Sequence, residues 1–407
     1  MATGARQEGG NMINPGLHCR SLTTATQPLR HAAAGMAAAT LLLLCGGMAQ
    51  AQPIRLADVA ELSGSGASVG TLWRDAVHMA ADELNAKGGI LGHQIEITDY
   101  DTQTNPSVSR AMIQKALDDH PYAILGPIYS GSVKVDEPLT EAAKVAEFTG
   151  AAAADITKMG SAYIFRTAFS TESSEPRVAR YMVDDLHAKK VAVLWVNDDA
   201  GKSTRDALVA ALQRLGVEIV ADVPSEAGQA SFTSDVLKAK RANPDAIFVY
   251  YHEEENARFL KEARKQGINV PLVGDTTLMD SQTIKLAGDD ANGVVGHAML
   301  TPDAPIPAIE EFTKKFTARF NVTPDHNAIQ GYMAVWIIKA ATEKMGKPDA
   351  EHLAETLHGM TIKPADQPGI LMETTILPSG DVDRASFMVQ VVNGHGKVVK
   401  ILPKLGS

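Results

Sequence analysis

The feature that most restricts the fold of this chain is a regular alternation of short apolar runs and amphipathic stretches, which begins at residue 54. The amphipathic stretches carry apolar residues at helical spacing, as in 72–85, where Trp73, Val77 and Leu84 recur on one face. The apolar runs predict eight strands, at 54–59, 95–100, 122–126, 145–149, 191–196, 217–223, 246–251 and 271–274. Strands that alternate with helices of about 10–15 residues are typical of βαβ units, so we predict an α/β protein with parallel sheets covered on both faces.

The strand–helix series restarts near residue 163, which predicts two similar α/β lobes. The last third of the chain differs, because two long helix patterns, 307–320 and 329–345, are followed by a β-rich tail. In that tail Asn393-Gly394 separates the apolar runs 387–392 and 398–402. An Asn-Gly pair between two apolar strands predicts a β-hairpin.

Residues 1–51 have the order of a signal peptide that is removed after export. Arg20 and Arg30 precede an apolar run at 32–44, and Ala49-Gln50-Ala51 then offers small residues at a cleavage site. The apolar run is shorter than the roughly 20 residues that a membrane span needs. The sequence therefore predicts a secreted, periplasmic protein.

Both cysteines, Cys19 and Cys45, precede the predicted cleavage site, so the mature chain would have no disulfide, thiolate metal site or cysteine nucleophile. An alternative is that Cys45 becomes a lipid-attached N-terminus, although the large Leu44 in front of it argues against this. Removal of three arginines and one glutamate with the leader changes the net charge from −10 to −12. Such a negative surface argues against nucleic acid and anionic lipid as partners.

The loops after the predicted strands contain the residues suited to a ligand, because doubly wound sheets bind ligands at the carboxyl ends of their strands. Ser63 lies in a Gly- and Ser-rich loop, 61–70, which predicts either the lining of a ligand cleft or a tight turn. The spacing of the glycines in this loop departs from the G-x-G-x-x-G fingerprint, which argues against a dinucleotide cofactor. Tyr129 and Ser130 come next to a predicted helix N-terminus, where serine caps the helix or binds a carboxylate. The alanines 151–154 fit either a close approach of backbone to ligand or tight packing.

The sequence contains no local motif for catalysis. It has neither a nucleophile-elbow serine nor a His-Glu-x-x-His zinc motif. His252 and the acids 253–255 offer metal ligands, but three acids at a helix start are more typical of a solvated first turn matched to the helix dipole. We predict a protein that is not an enzyme and has no cofactor and no metal, with an exported hydrolase or oxidoreductase as the weaker alternative.

A set of motifs, taken in order, resembles the branched-chain amino-acid (leucine/isoleucine/valine) binding family, the periplasmic solute-binding proteins of ABC importers. The similar segments span essentially the whole mature chain and include 54–59, Lys87-Gly88-Gly89-Ile90-Leu91-Gly92, Tyr100-Asp101, Ser130-Gly131-Ser132, Phe165-Arg166-Thr167 and Gln330-Gly331-Tyr332. Each motif is weak alone, and the ordered set is specific. The resemblance implies a type I periplasmic binding fold: two similar lobes, each with a doubly wound, mainly parallel sheet, joined by a three-strand hinge.

By the same resemblance, the N-terminal lobe comprises 53–168 plus 299–383, and the C-terminal lobe comprises 169–298 plus 384–407. A protein of this family, expected here as a monomer, captures a small solute between its lobes and delivers it to an inner-membrane ABC permease. A ligand sensor of the same fold that signals to a regulatory partner is the alternative.

The resemblance also implies where an amino-acid ligand would bind. Ser130 and backbone groups of Ala151, Ala152 and Ala153 occupy the positions that hold the α-carboxylate in the family. Asp275 occupies the position of the acid that holds the α-ammonium, with a turn or cap role as the alternative. A helix N-terminus favours a carboxylate, and an acidic side chain favours an ammonium.

The further candidate ligand contacts are Ser63, Ala200, His252 and Thr276, and also Tyr129, whose ring would form an aromatic wall of the site or pack in the core or hinge. Several hydroxyl and aromatic contacts usual in the family are replaced in this sequence, for example near Ala200 and His252. We therefore expect a small polar ligand, an amino acid or a related amide or carboxylate, and do not expect leucine itself.

Overall fold

The structure, a computed structural model, describes residues 51–406. The strands are β1 (Ile54–Ala60), β2 (Ile95–Asp101), β3 (Ala123–Leu125), β4 (Glu147–Thr149), β5 (Ile164–Arg166), β6 (Lys190–Val196), β7 (Glu218–Ser225), β8 (Ala246–Tyr250), β9 (Leu272–Gly274), β10 (Val295–Ala298), β11 (Thr361–Ile362), β12 (Thr374–Ile376), β13 (Val382–Asp383), β14 (Ser386–Val392) and β15 (His395–Leu402). The α-helices are α1 (Ala67–Asn85), α2 (Pro106–Asp118), α3 (Ser130–Ala143), α4 (Thr171–Asp184), α5 (Asp199–Arg214), α6 (Thr233–Arg241), α7 (Glu253–Lys265), α8 (Ser281–Ala287), α9 (Pro307–Phe320), α10 (His326–Met345) and α11 (Ala350–Leu357). Both cysteines and nearly all of the predicted signal peptide lie outside the described residues. No helix within 51–406 combines the length and the apolar character that crossing a membrane requires.

The first sheet contains five parallel strands in the order β2-β1-β3-β4-β5. Its central strands are buried, and α1 covers one face with Leu72, Trp73, Val77 and Leu84. The helix begins at Ala67, so the last residues of the Gly- and Ser-rich loop form its first turn. This arrangement confirms the α/β alternation predicted from the apolar runs.

The second sheet has seven strands in the order β15-β14-β10-β9-β8-β6-β7. The strands from β6 to β10 are parallel, and β14 joins the sheet antiparallel to β10. The predicted hairpin is confirmed, because β14 and β15 pair with Val392 opposite His395. Asn393 and Gly394 have φ values of 51° and 76°, and a two-residue hairpin turn with two positive φ angles suits Asn-Gly.

The chain passes between the two sheets three times. It runs from β5 of the first sheet to β6 of the second, returns after β10 to α10, which packs on α1, and passes from β13 to β14. A small antiparallel sheet, β11-β12-β13, lies on this return path. The predicted lobe boundaries at 168/169, 298/299 and 383/384 stay a prediction.

Side-chain caps explain where several helices start. Asn105 accepts hydrogen bonds from the backbone N–H groups of Ser107 and Val108 and is followed by Pro106 at the first position of α2. In the same way, Asp325 Oδ1 accepts a hydrogen bond of 2.7 Å from the backbone N–H of Ala328 and caps the start of α10. These caps fix the helix ends that face the space between the two sheets.

Candidate ligand-binding site

A cavity of about 210 Å³ lies between the two sheets, at the carboxyl ends of their strands. Its lining comes from both sides and comprises Val69, Thr104, Pro106, Ile128, Tyr129, Ser130, Gly131, Ser132, Gly150, Ala152, Asp198, Asp199, Ala200, Tyr250, His252, Glu253, Asp275, Thr276, Thr277, Met299, His326 and Asn327. This is the place where a doubly wound sheet offers helix N-termini to a ligand.

The start of α3 offers hydrogen-bond donors to the cavity. The Ser130 hydroxyl oxygen accepts from the Ala153 N–H at 3.2 Å, and no described residue accepts the hydroxyl's own hydrogen. The Ser132 hydroxyl is buried and has no hydrogen-bond partner among residues 51–406. The N–H groups of Ser130 and Gly131 belong to the first turn, where no carbonyl of the same helix can accept them. Together with the helix dipole, these donors suit a carboxylate.

A buried acid holds the turn that leads into α3. The Glu61 carboxylate accepts from the backbone N–H groups of Ile128 and Tyr129, each at 3.1 Å. Burial raises the pKa of Glu61 to about 7, although the two hydrogen bonds partly oppose this. Glu61 thereby uses the backbone N–H groups just before α3, and the hydroxyls of Ser130 and Ser132 are left for a ligand.

The alanine segment after β4 is fixed by a buried arginine. Arg166 is fully buried and donates from its two terminal nitrogens to the carbonyl oxygens of Ala151 and Ala153, each at 2.5 Å. Its Nε contacts Asp381 Oδ1 at 2.6 Å. Of the three alanines, Ala152 is the one that lines the cavity.

The opposite wall carries a histidine that reaches across to Tyr129. The rings of His252 and Tyr129 stack with centroids 4.8 Å apart and planes at 30°. His252 Nε2 lies 2.7 Å from Asp198 Oδ2. Burial alone would lower the pKa of His252, but the hydrogen bond and charge of Asp198 outweigh it and raise the pKa to about 9. The ring is therefore an imidazolium at neutral pH, paired with Asp198.

Polar contacts close the two walls on each other beside the cavity. Lys134 Nζ lies 2.8 Å from Asp155 on its own side and 2.6 Å from Asp199 at the start of α5. The Ala154 N–H donates to Ser203 Oγ at 2.9 Å. The structure therefore shows a closed arrangement, in which ion pairs and hydrogen bonds join the walls.

Asp275 lies on the cavity wall and is already engaged by protein groups. Its Oδ1 lies 2.8 Å from His297 Nδ1 and accepts from the Thr276 hydroxyl at 3.3 Å. Burial tends to raise the pKa of Asp275, but His297 outweighs it, so the pKa lies below its usual value. Burial and the adjacent Asp275 raise the pKa of Glu175 well above the usual range. Asp275 thus belongs to a buried hydrogen-bonded group.

A second buried polar group joins the start of α8 to the start of α10. Asp280 Oδ2 lies 2.9 Å from His326 Nδ1, and Asp325 is the neighbouring acid. Burial would lower the pKa of His326, but the hydrogen bond and charge of Asp280 outweigh it and raise the pKa to about 9. For the acid Asp325, burial and the charge of Asp280 act in the same direction and raise the pKa to about 7. Ligating atoms of these three residues lie within 4.8 Å of one another. Asp280 and Asp325 also cap helices, through the N–H groups of Gln282 and Ala328, so helix capping and one ion pair account for the group.

The structure brings seven of the predicted site residues to the cavity: Tyr129, Ser130, Ala152, Ala200, His252, Asp275 and Thr276. Ala151 and Ala153 lie behind the wall, held through Arg166. Ser63 is away from the cavity because it is exposed and its hydroxyl donates to Asp101 Oδ2 at 2.6 Å.

Two features of the wall were not predicted. Glu253 and Glu255 are buried and only Glu254 is exposed, so the prediction of a solvated first turn is wrong for α7. His326 and Asn327 also line the cavity, and the sequence around them carries no signal beyond an acid before a helix.

A sequence model of the periplasmic binding protein family matches residues 53–396. The chain belongs to that family. This confirms the resemblance, the fold class and the prediction of a solute-binding protein that is not an enzyme, because periplasmic binding proteins bind their solutes without chemical change.

Individual members share moderate similarity with this periplasmic binding protein. A Leu/Ile/Val-binding protein of Rhizobium johnstonii is 26% identical over 336 residues, which cover 81% of this chain and 89% of the relative. The structure of the branched-chain amino acid transporter substrate-binding protein LivJ of Streptococcus pneumoniae, in complex with isoleucine, has a TM-score of 0.78 and 24% identity over 86% of this chain and 99% of that one. A solute-binding protein of an R. palustris ABC transporter, in complex with benzoate, has a TM-score of 0.79 and 17% identity over 87% and 97% of the two chains. The two solved structures establish likeness of fold.

Proposed function

We propose that this periplasmic binding protein captures a small carboxylate-bearing solute between its two lobes and delivers it to an inner-membrane ABC permease. The observation that carries the proposal is the group of donors at the start of α3: the hydroxyls of Ser130 and Ser132 and the N–H groups of the first turn face a cavity closed by both walls. The isoleucine and benzoate of the two similar structures both carry a carboxylate, which supports the same class here. The contacts proposed for the solute are Tyr129, Ser130, Ala152, Ala200, His252 and Thr276.

The closed walls support capture by lobe movement. A ligand stabilises the closed state only through its higher affinity for that state, and contacts such as Lys134–Asp199 exist only when the walls meet. The predicted leader and the match to the periplasmic binding protein family support action in the periplasm, where the proposed protein is a monomer. The net charge of the mature chain argues against nucleic acid as a partner.

A thermal-shift screen tests the proposal. The mature protein is refolded to remove bound solute and is mixed with amino acids, small amides, urea, aromatic acids and dicarboxylates. A solute at about 100 times its dissociation constant adds about 2.7 kcal/mol to the free energy of unfolding. A selective rise in Tm with one class of carboxylate is expected, and a flat response to every carboxylate of the panel would contradict the proposal.

Delivery needs a separate measurement. A strain that lacks this chain should lose uptake of the radiolabelled solute that the screen identifies, and regain it when the chain is restored. Undiminished uptake would remove the transport part of the proposal, and a loss of a transcriptional or behavioural response without loss of uptake would favour the sensor.

A further inference from the structure

Four acidic side chains line the cavity, and three of them already have a basic partner. Asp198 is paired with His252 at 2.7 Å, Asp199 with Lys134 at 2.6 Å, and Asp275 with His297 at 2.8 Å. The fourth is Glu253, whose carboxylate makes no ion pair and no hydrogen bond with any other described residue. The one hydrogen bond that this carboxylate accepts within the described residues comes from the backbone N–H of Glu253 itself. An acid without a partner on a cavity wall is a place for a cation that the protein does not itself supply.

Glu253 is buried deeply enough for a missing partner to matter. Only 6% of the residue is exposed, and it stands at the first position of α7. Burial and the neighbouring Asp280 raise the pKa of Glu253, whereas His252 and His326 oppose the rise. A buried carboxylate costs free energy until an opposite charge or hydrogen-bond donors satisfy it.

The surroundings of Glu253 hold more negative than positive charge. The buried group of Asp280, His326 and Asp325 described above lies on one side of Glu253. Within this group, among the described residues, two acids share a single basic side chain, His326. His252 on the other side is paired with Asp198. An added positive charge beside Glu253 would therefore lower the electrostatic free energy of this wall.

A second unused acceptor faces the same cavity. Asn327 is 2% exposed, and its Oδ1 has no hydrogen-bond donor among residues 51–406, while its Nδ2 donates to Asp325 Oδ2 at 3.1 Å. An ammonium has three N–H donors and no acceptor, and a guanidinium has five. A buried carboxylate and a buried carbonyl oxygen that both lack donors match such a group.

We propose that Glu253, rather than Asp275, receives a cationic group of the solute, an ammonium or a guanidinium, with Asn327 Oδ1 as a second acceptor. This rests on the proposed function, because it assigns the second end of a solute whose carboxylate binds at the start of α3. Asp275 positions Thr276 and the β9 loop, because its Oδ1 is already engaged by the Thr276 hydroxyl and by His297 Nδ1. The solute class is therefore a zwitterion such as an amino acid.

The test compares amino acids with the same acids that lack the amino group. Isothermal titration measures L-leucine against 4-methylpentanoate, L-phenylalanine against 3-phenylpropanoate, L-arginine, and benzoate, on the mature protein and on Glu253→Gln, Glu253→Asp and Asp275→Asn. At least one amino acid should bind at least about tenfold tighter than its deaminated partner. Glu253→Gln should remove that preference, and Glu253→Asp, which keeps the charge, should retain most of it.

The Asp275→Asn variant is the matched comparison. It should weaken both members of a pair by a similar factor, because Asp275 acts through the protein and not through the ammonium. The assignment is overturned if the deaminated acids or benzoate bind as tightly as the amino acids, if Glu253→Gln keeps the preference, or if Asp275→Asn alone abolishes it. Binding of a carboxylate without a cation would leave the proposed function standing, whereas no binding of any acid in the wider screen would overturn both.

Discussion

Replacement of Ser130 by alanine tests the carboxylate end of the cavity. Ser130 is 3% exposed, and its hydroxyl oxygen already accepts from the Ala153 N–H, so its hydrogen is the part available to a ligand. A hydrogen bond to a charged group contributes about 1.5–3 kcal/mol. The Ser130→Ala variant should therefore raise the Kd of the carboxylate found in the screen by about tenfold to a hundredfold.

The same change has a second, independent cost. It removes the acceptor of the buried Ala153 N–H, and an unsatisfied buried donor costs about 1–3 kcal/mol. The free energy of unfolding without ligand, measured by urea titration, should fall by about that amount. The affinity is then measured by isothermal titration at a temperature where the variant is folded.

Ser63→Ala is the matched control for Ser130→Ala. It removes a hydroxyl of the same size from a neighbouring loop, but that hydroxyl is exposed and bound to Asp101. Its effect on Kd should stay within about twofold. The assignment of the carboxylate to α3 is refuted if Ser130→Ala also stays within twofold, or if Ser63→Ala weakens binding as strongly.

Two further predictions concern closure and pH. Lys134→Met removes the ion pair with Asp199 and should raise the Kd of the solute about two- to fivefold, with a smaller effect at high salt, because exposed ion pairs contribute at most about 1 kcal/mol. Lys202→Met is the control, because the partner of Lys202 lies on the same helix, and it should leave the Kd unchanged. Equal effects of the two variants on the Kd would argue against a role of Lys134 in closure. The pKa of His326 is raised to about 9, so the stability from its pairing with Asp280 is fully present below about pH 6.5 and lost as the pH rises through 9. The free energy of unfolding, measured with urea at pH 6, 7.5 and 9, should show this decline with pH. The decline should be smaller in His326→Gln, and an equal decline in the two proteins would contradict the pairing.

The strands that the sequence predicts well are those built from continuous apolar residues. β8 is buried at every position and its apolar run marks it directly. β10 was missed, because Gly296 and His297 interrupt the apolar pattern and the strand depends on pairing with β9 and β14. The short β11–β13 sheet has two or three residues per strand, too few for any periodicity to show.

The site was predictable where a local rule governs it. Ser130 follows from the preference for serine at a helix start and for ligands at strand ends. Glu253 was not predictable, because an acid in a first turn has the same sequence whether water or another element covers it. Here the covering elements, α8 and the start of α10, come from distant parts of the chain.

The packing of α10 on α1 also determines when the protein can fold. Tyr332 donates to Glu83 across 249 residues of sequence, and the hydroxyls of Tyr122 and Thr342 meet across 220. A nascent chain that ends before α10 leaves the apolar face of α1, with Trp73, without its partner. Contacts of such long sequence separation form slowly, since a long loop must close first. The first lobe therefore cannot be completed until α10 has been synthesised, so about 240 residues separate the end of α1 from the element that covers it.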